Sequence, residues 1–221
     1  MTRRALLALV LAAAVSFSTA AAVFAGDNRE QIRFNPADQA AARAATLRLA
    51  DLGSSGWTGG RVKPDLTPAP TCADYHPKQS DLVLTGAARS QYRQGAVTFD
   101  SEVQVLQTAR MVALDWRRSV LPAGAVSCLR RKLAASLGPN AKLVSYTRVA
   151  FPQVASYAAA FRAVIDVTAQ GQTLRLLVDV VLVGRRRSEI TLSVGGPASG
   201  RSALTAAERR LARMLVSRAR A

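Results

Sequence analysis

The sequence predicts an α+β domain: a twisted antiparallel β-sheet covered by helices, with N-terminal and C-terminal helices flanking a meander. Three observations carry that expectation. Apolar residues recur at every second position from Phe161 to Val194, in three runs separated by turn signals at Gln170-Gly171 and Gly184 to Arg187. Consecutive strands on short turns make an antiparallel meander. A further alternating run, Val97 to Val105, lies upstream, while segments starting near Pro36 and Ser202 carry their apolar residues at helical spacing. A sheet with one apolar face needs a cover, and the helices supply it.

Taken in order, Asn35 is a good N-cap and Pro36 suits a first helical turn, so a helix is expected from Pro36 to about Leu52, ended by Gly53. Its apolar face comprises Ala40, Ala41, Ala44, Leu47 and Leu52. Gly56, Gly59 and Gly60 bracket Trp57 in a turn, and the prolines at 64, 68, 70 and 77 make residues 64–80 an irregular surface connection. A strand around Leu82 to Tyr92 turns at Gln94-Gly95 into the next, whose apolar face is Val97, Phe99, Ser101, Val103 and Val105 and whose wet face holds Thr98, Asp100, Glu102 and Gln104. Residues 109–121 switch to helical spacing through Val112, Ala113, Trp116 and Val120, and Pro122 breaks that helix. Val126, Leu129, Leu133 and Leu137 give a second short helix, closed by Gly138-Pro139. Lys142 to Phe151 reads as a strand, the meander follows, and Gly195-Gly196-Pro197 stops it. The last helix, about Ser202 to Arg218, sets Leu204, Ala207, Leu211, Met214 and Leu215 on one face and Arg209, Arg210 and Arg213 opposite, which suits docking on the sheet better than lying on a membrane.

The N-terminus reads as an export signal. Arg3 and Arg4 form a positive n-region, an uncharged stretch runs from Ala5 to Phe24, and Val23-Phe24-Ala25 is a processing-like site. Cleavage is expected after Ala25, with the alanines at 20 to 22 as alternatives. The apolar stretch of 20 residues is also just long enough to stay as an uncleaved anchor. The adjacent arginines fit a twin-arginine signal as well, and the absence of cysteine before Cys72 argues against a lipid-anchored one. The expected organisation is a signal peptide over 1–25, a short lead over 26–35 and one α+β domain over 36–219, secreted or held at the cell envelope outside the cytoplasmic membrane, with no transmembrane segment after cleavage.

The formal charge of +16 falls to +14 when Arg3 and Arg4 leave with the signal, and arginine outnumbers lysine 26 to 4. A GC-rich coding sequence accounts for much of that bias. Physically, a cationic exported protein is drawn to anionic lipid headgroups or anionic wall polymers. Nucleic acid is not an expected partner, because no aromatic-studded basic motif accompanies the charge. Cys72 and Cys128 are the only cysteines; in an oxidising compartment an even, minimal pair points to one structural bridge.

The chain order is a helix, the segment Leu-Ala-Asp-Leu-Gly-Ser-Ser-Gly-Trp at 49–57, a cysteine in a Pro-rich loop, two strands, helices carrying the second cysteine, a meander and a closing helix. This order resembles the exported actinobacterial domains related to the extracellular sensor domain of mycobacterial serine/threonine kinases, distant relatives of the Mog1/PsbP fold. The resemblance covers roughly residues 36–219 and rests on element order, on Asp51-Leu52 to Gly56-Trp57 and on the placement of Cys72 and Cys128. It implies helices against a twisted antiparallel sheet and a cleft for an unidentified small ligand. One cysteine pair stands where the kinase sensor domain has two, and the resemblance supplies no catalytic residues.

No catalytic, cofactor or metal constellation emerges from the residues. His76, the only histidine, lies in the irregular loop between Tyr75 and Pro77, a poor place for a triad member. Asp100 and Glu102 share a strand face and read as its solvated side rather than as an acid–base pair. Arg162, Asp166, Arg175 and Asp179 are expected as cross-strand charge pairs of a hairpin centred on 170–171. Gly195 to Gly200 lacks the Lys-Ser/Thr ending of a phosphate loop and reads as a strand-to-helix turn. Arg185, Arg186 and Arg187 are a candidate anion-binding group, with a solvated hairpin tip as the alternative. Trp57 and Trp116 read as packing residues. The expectation is therefore a non-enzymatic binding or accessory domain, with a hydrolase of unrecognised site or a purely structural protein as alternatives.

Overall fold

The computed structural model describes residues 28–53 and 55–221, so the expected signal sequence lies outside the described residues. In chain order the elements are β1 (Gln31–Ile32), α1 (Pro36–Ala45), a 3₁₀ turn (Leu49–Leu52), β2 (Thr58–Val62), β3 (Val83–Gln94), β4 (Val97–Leu106), α2 (Ala109–Asp115) running into a π-helical turn (Trp116–Val120), α3 (Ala123–Ser136), β5 (Ala141–Val149), β6 (Tyr157–Ala169), β7 (Gln172–Arg185), β8 (Ser188–Pro197), a short 3₁₀ turn and α4 (Arg201–Arg218). This is an α+β fold built on one mostly antiparallel sheet. The sheet order is β1-β3-β4-β8-β7-β6-β5, with β2 also on β3 and β1 the one parallel member.

The sheet register follows from the alternation. Arg162 pairs with Asp179 and Asp166 with Arg175 across β6 and β7, as the hairpin centre at Gln170-Gly171 requires. Register also sorts the side chains. Val103 opposes Ile190, and Leu192 opposes Val181, so these form one face. There α1 and α4 seal a core of Ala42, Ala45, Val103, Val181, Ile190, Leu211 and Leu215. Each fully buried leucine or isoleucine contributes about 2 kcal/mol there. The other face is covered too: α2 packs on Leu106, Ala159 and Phe161, and α3 brings Leu133 and Leu137 onto Ala163, Ile165 and Val167. Two covered faces replace the expected one, so that Leu176, Val178 and Leu182 of β7 are half-buried on one side while Val181 and Val183 are buried on the other.

Two local expectations are corrected. The first helix stops at Ala45 rather than Leu52, because Thr46 turns extended (φ −75°, ψ 163°) and carries Leu47 into the core. There Leu47 N donates to Ser101 Oγ at 2.9 Å and its carbonyl accepts from Ser90 Oγ at 3.0 Å. The glycine-rich segment after Trp57 is a strand, not a turn: Gly59 sits at φ +128°, and a Cβ there would lie 2.1 Å from Gln91 O, so only glycine lets β2 approach β3. The lead over 26–35 contains β1. The bridge is formed: Cys72 and Cys128 are disulfide-bonded, with Cα atoms 5.8 Å apart, and tie the Pro-rich loop to α3. Among the described residues no helix is long and apolar enough to cross a membrane.

Candidate functional site

Between α2 with its π turn, the Pro-rich loop and the second face of β4, β7 and β8 lies a cavity of about 190 Å³. Its floor joins residues of the faces read as polar, Glu102 and Gln104 of β4 and Glu189 and Thr191 of β8, to Leu182 of β7. They are enclosed because residues 66–69 fold back over them as a roof. Glu102 Oε2 accepts from Asp65 N at 3.1 Å, Gln79 Oε1 accepts from Ala69 N at 3.0 Å, and Gln79 N donates to Asn28 Oδ1 at 2.9 Å. Farther along the loop, Tyr75 donates its hydroxyl to Arg118 O at 2.8 Å, and Arg118 holds Asp81 through both carboxylate oxygens at 2.7 and 3.1 Å. The segment expected as a loose surface connection is thus stapled at several points as well as by the disulfide.

The helical wall comes from the π turn. It carries an i→i+5 bond, Leu121 N to Trp116 O at 3.0 Å, and Asp115, Trp116, Ser119 and Val120 line the cavity. Such turns are frequent at functional sites. Trp116 stacks on Tyr157, ring centroids 5.3 Å apart, and rests on Gly184, where a Cβ would fall 2.7 Å from its Nε1. Glycine at 184 therefore sets how deep the indole sits.

Four carboxyls meet here: Glu30, Glu102, Asp115 and Glu189. The chain has only four glutamates, and three of them are in this cavity. Among the described residues none of its thirty lysines and arginines lines it. Burial raises all four. Glu30 is pushed up to about 7 by burial and then by the charges of Asp115 and Glu102. Burial raises Asp115 while hydrogen bonds from Ser119 and Gln79 pull it back. Glu102 is raised by burial against its bonds from Asp65 N and Gln104. Glu189 goes furthest, well above the ordinary carboxyl range, through burial, then the charges of Asp115 and Glu30 and a contact with the Asp115 carboxyl. Two adjoining buried carboxyls cannot both ionise cheaply, so Glu189 and Asp115 titrate as a pair. Ser119 Oγ donates to Asp115 Oδ1 at 2.7 Å, and Glu102 keeps Gln104 Nε2 at 3.0 Å and Arg89 Nε at 3.8 Å. Glu189 Oε1 is enclosed and has no hydrogen-bond partner among the described residues. Among those residues no three of His, Cys, Asp and Glu are grouped so as to hold a metal ion.

The other sequence candidates lie elsewhere. Glu102 is in the cavity and not solvated; Asp100, its neighbour on the face, is held outside it by Arg89 (2.6–3.1 Å) and Gln91 Nε2 (2.6 Å). His76 is exposed on the loop. Asp166 and Arg175 pair near the surface, at 2.7 and 2.8 Å. Arg162 and Asp179 pair across the strands as expected, under α4, where they are 9% and 2% exposed because Thr205 and Glu208 of α4 close over them. Arg185 Nη1 donates to Val216 O at 2.5 Å, Arg186 Nη1 to Arg220 O at 3.3 Å, and Arg187 to both oxygens of Asp38, so the hairpin tip binds the ends of α1 and α4. Gly195 to Gly200 carries β8 through the short 3₁₀ turn into α4. Glu30, Asp115 and Glu189 escaped the sequence reading. The one available signal was the scarcity of glutamate in so basic a chain.

No family model matches the chain, and no curated protein matches it. Solved structures do. A putative uncharacterized protein of Mycobacterium smegmatis is similar over 83% of this chain and 98% of its own, at 13% identity and a TM-score of 0.46. LpqN of Mycobacterium tuberculosis, described as involved in cell envelope biogenesis, is similar over 75% and 94%, at 12% identity and 0.32. The Ran-binding protein Mog1p of Saccharomyces cerevisiae is similar over 59% and 77%, at 11% identity and 0.28. With scores and identities this low, the chemistry of the site rests on its own residues.

Proposed function

We propose that the chain is an exported, non-enzymatic binding or accessory domain of the cell envelope that holds a small ligand in the carboxyl-lined cavity. The observation that carries this is Glu189 Oε1, a buried acceptor without a donor inside a formed cavity. An unsatisfied buried polar atom costs about 1–3 kcal/mol. Local rules broken at such expense cluster where a protein does its work. Binding fits better than catalysis: the Ser119 hydroxyl is spent on Asp115, and His76 lies outside the cavity. The disulfide suits an oxidising compartment. The basic exterior suits retention at anionic lipid headgroups or wall polymers, and the element order read from the sequence suits a sensor-like role.

The test uses the mature chain and a fractionated small-molecule extract of the host envelope. A fraction that raises the thermal midpoint and leaves a small-mass adduct in native mass spectrometry is expected. Extracts that never shift the midpoint would sink the binding reading, and steady conversion of a component would replace it with an enzyme. Sedimentation with envelope preparations is expected to weaken as salt rises; failure to sediment at any ionic strength removes envelope retention.

A further inference from the structure

From the geometry of the cavity we infer its ligand class: a compact primary ammonium compound, its charge met by Glu189 and Asp115. This rests on the binding reading above and goes beyond it. Four carboxyls converge where no basic side chain lines the wall, in a chain whose basic residues outnumber acidic ones by 30 to 14. A buried carboxylate pair needs either shared protons or a counter-cation. Glu189 Oε1 lacks a donor, and an –NH₃⁺ brings three donors and no acceptor. A quaternary ammonium would bring the charge but leave that oxygen bare. Leu66, Trp116, Val120 and Leu182 offer the carbon skeleton an apolar wall, and about 190 Å³ admits a chain of a few carbons. The arginines nearest the carboxyls are otherwise engaged: Arg118 with Asp81, Arg89 with Asp100 and only at 3.8 Å from Glu102.

The ammonium has two sources, a free small amine or the amine end of a larger envelope molecule. The probes are n-butylamine, 1-butanol with the same skeleton and no charge, butyrate, tetramethylammonium, and mono-N-acetylated 1,5-diaminopentane as an amine on a blocked tether. Binding is read from the Trp116 indole N–H and the Ser119 amide in NMR titrations of the full mature chain. At pH 8 butylamine is expected to bind at least about tenfold more tightly than butanol and tetramethylammonium, with butyrate excluded. The tethered amine matching butylamine assigns a larger molecule's amine end; binding by butylamine alone assigns a free amine. From pH 6 to pH 8 the amine is expected to tighten as Glu30 ionises at about 7. Glu102, Asp115 and Glu189 face the same space, with Arg89 and Arg118 behind them. Glu189→Gln and Asp115→Asn are each expected to weaken butylamine about tenfold. The comparison of probes on the unmodified chain stands even if a variant misfolds. Butanol binding as tightly as butylamine, or no response to butylamine, overturns the ligand class. In the first case the binding reading survives, and in the second the envelope-extract titration decides it separately.

Discussion

Arg187, at the tip of the β7–β8 hairpin, clasps Asp38 in the first turn of α1 through two parallel hydrogen bonds, Nη1 to Oδ2 at 3.1 Å and Nη2 to Oδ1 at 2.7 Å. The residues are 149 positions apart, and Asn35 Nδ2 adds a third donor to the same carboxylate at 2.9 Å. The clasp fixes how α1 crosses the sheet.

Arg187→Ala is expected to cost about 3 kcal/mol in urea unfolding, because it strands Asp38, which is 7% exposed. The hydrogen bonds from Arg187 hold the Asp38 carboxyl well below the usual carboxylate range. A depressed folded-state value means the stabilisation is complete above the unfolded carboxyl's pKa and is lost as pH falls below it. The variant's deficit should therefore shrink in strong acid. A deficit independent of pH down to unfolding would show that the contact is not electrostatic.

The disulfide links residues 56 positions apart, and the chain-entropy model gives about 4 kcal/mol for closing such a loop. Cys72→Ser with Cys128→Ser is expected to lose that much in denaturant unfolding. The same bridge anchors the loop whose residues 66–69 roof the cavity. Faster amide exchange at Leu66, Thr67 and Ala69 is therefore expected in the reduced protein. Unchanged exchange there would mean that Gln79, Tyr75 and Asp81 hold the roof without it.

Much of the scaffold was legible in the sequence, because period-two alternation and turn residues act locally. Arg162 facing Asp179 followed from the position of Gln170-Gly171 alone. The cavity was not legible, and the reason is physical. Glu30, Glu102, Asp115 and Glu189 come from four separate stretches of the chain, and each looks alone like a solvated side chain. Alternation assigns residues to faces but does not say what covers a face. Here the π turn and a proline-rich loop, neither of which has a period, enclose the face that alternation marks as wet. Both faces of β7 being apolar, Leu176 and Val178 on one side and Val181 and Val183 on the other, was the sign that two covers were needed.

Gly184→Ala tests how the wall is set. A Cβ there meets Trp116 Nε1 at 2.7 Å and Val112 Cγ1 at 3.0 Å, so the indole must move off β7. Overpacking of this kind costs about 1–3 kcal/mol. Loss of ligand-induced shifts at the Trp116 indole, alongside that destabilisation, is the expected result. A variant with unchanged stability and unchanged indole environment would place the tryptophan elsewhere.

Two glutamates whose carboxyls are pushed up by burial are expected to make the protein sensitive to alkali, and their contributions should add. Glu208, 2% exposed under α4, is pushed up to about 8 by burial and then by the hydrogen bond and charge of Asp179, with Arg162 opposing. Glu189 is raised in the same direction on the opposite face of the sheet. A carboxyl raised on folding takes up a proton that the unfolded chain has already released. Stability is therefore whole below the unfolded carboxyl's value and declines as pH climbs toward the folded one. For Glu208 that window runs from 4.5 to about 8. Glutamine needs no proton, so Glu208→Gln and Glu189→Gln are each expected to raise unfolding free energy at pH 8 relative to its change at pH 4, by about 1–3 kcal/mol for Glu208. The sheet separates the two sites and they share no partner, so the double variant should show the sum within a few tenths of a kcal/mol. Urea titrations at pH 4, 6 and 8 measure this directly. Variants whose unfolding free energy differs from that of the unmodified chain by the same amount at pH 4 and pH 8 would mean that these carboxyls are already ionised in the folded protein.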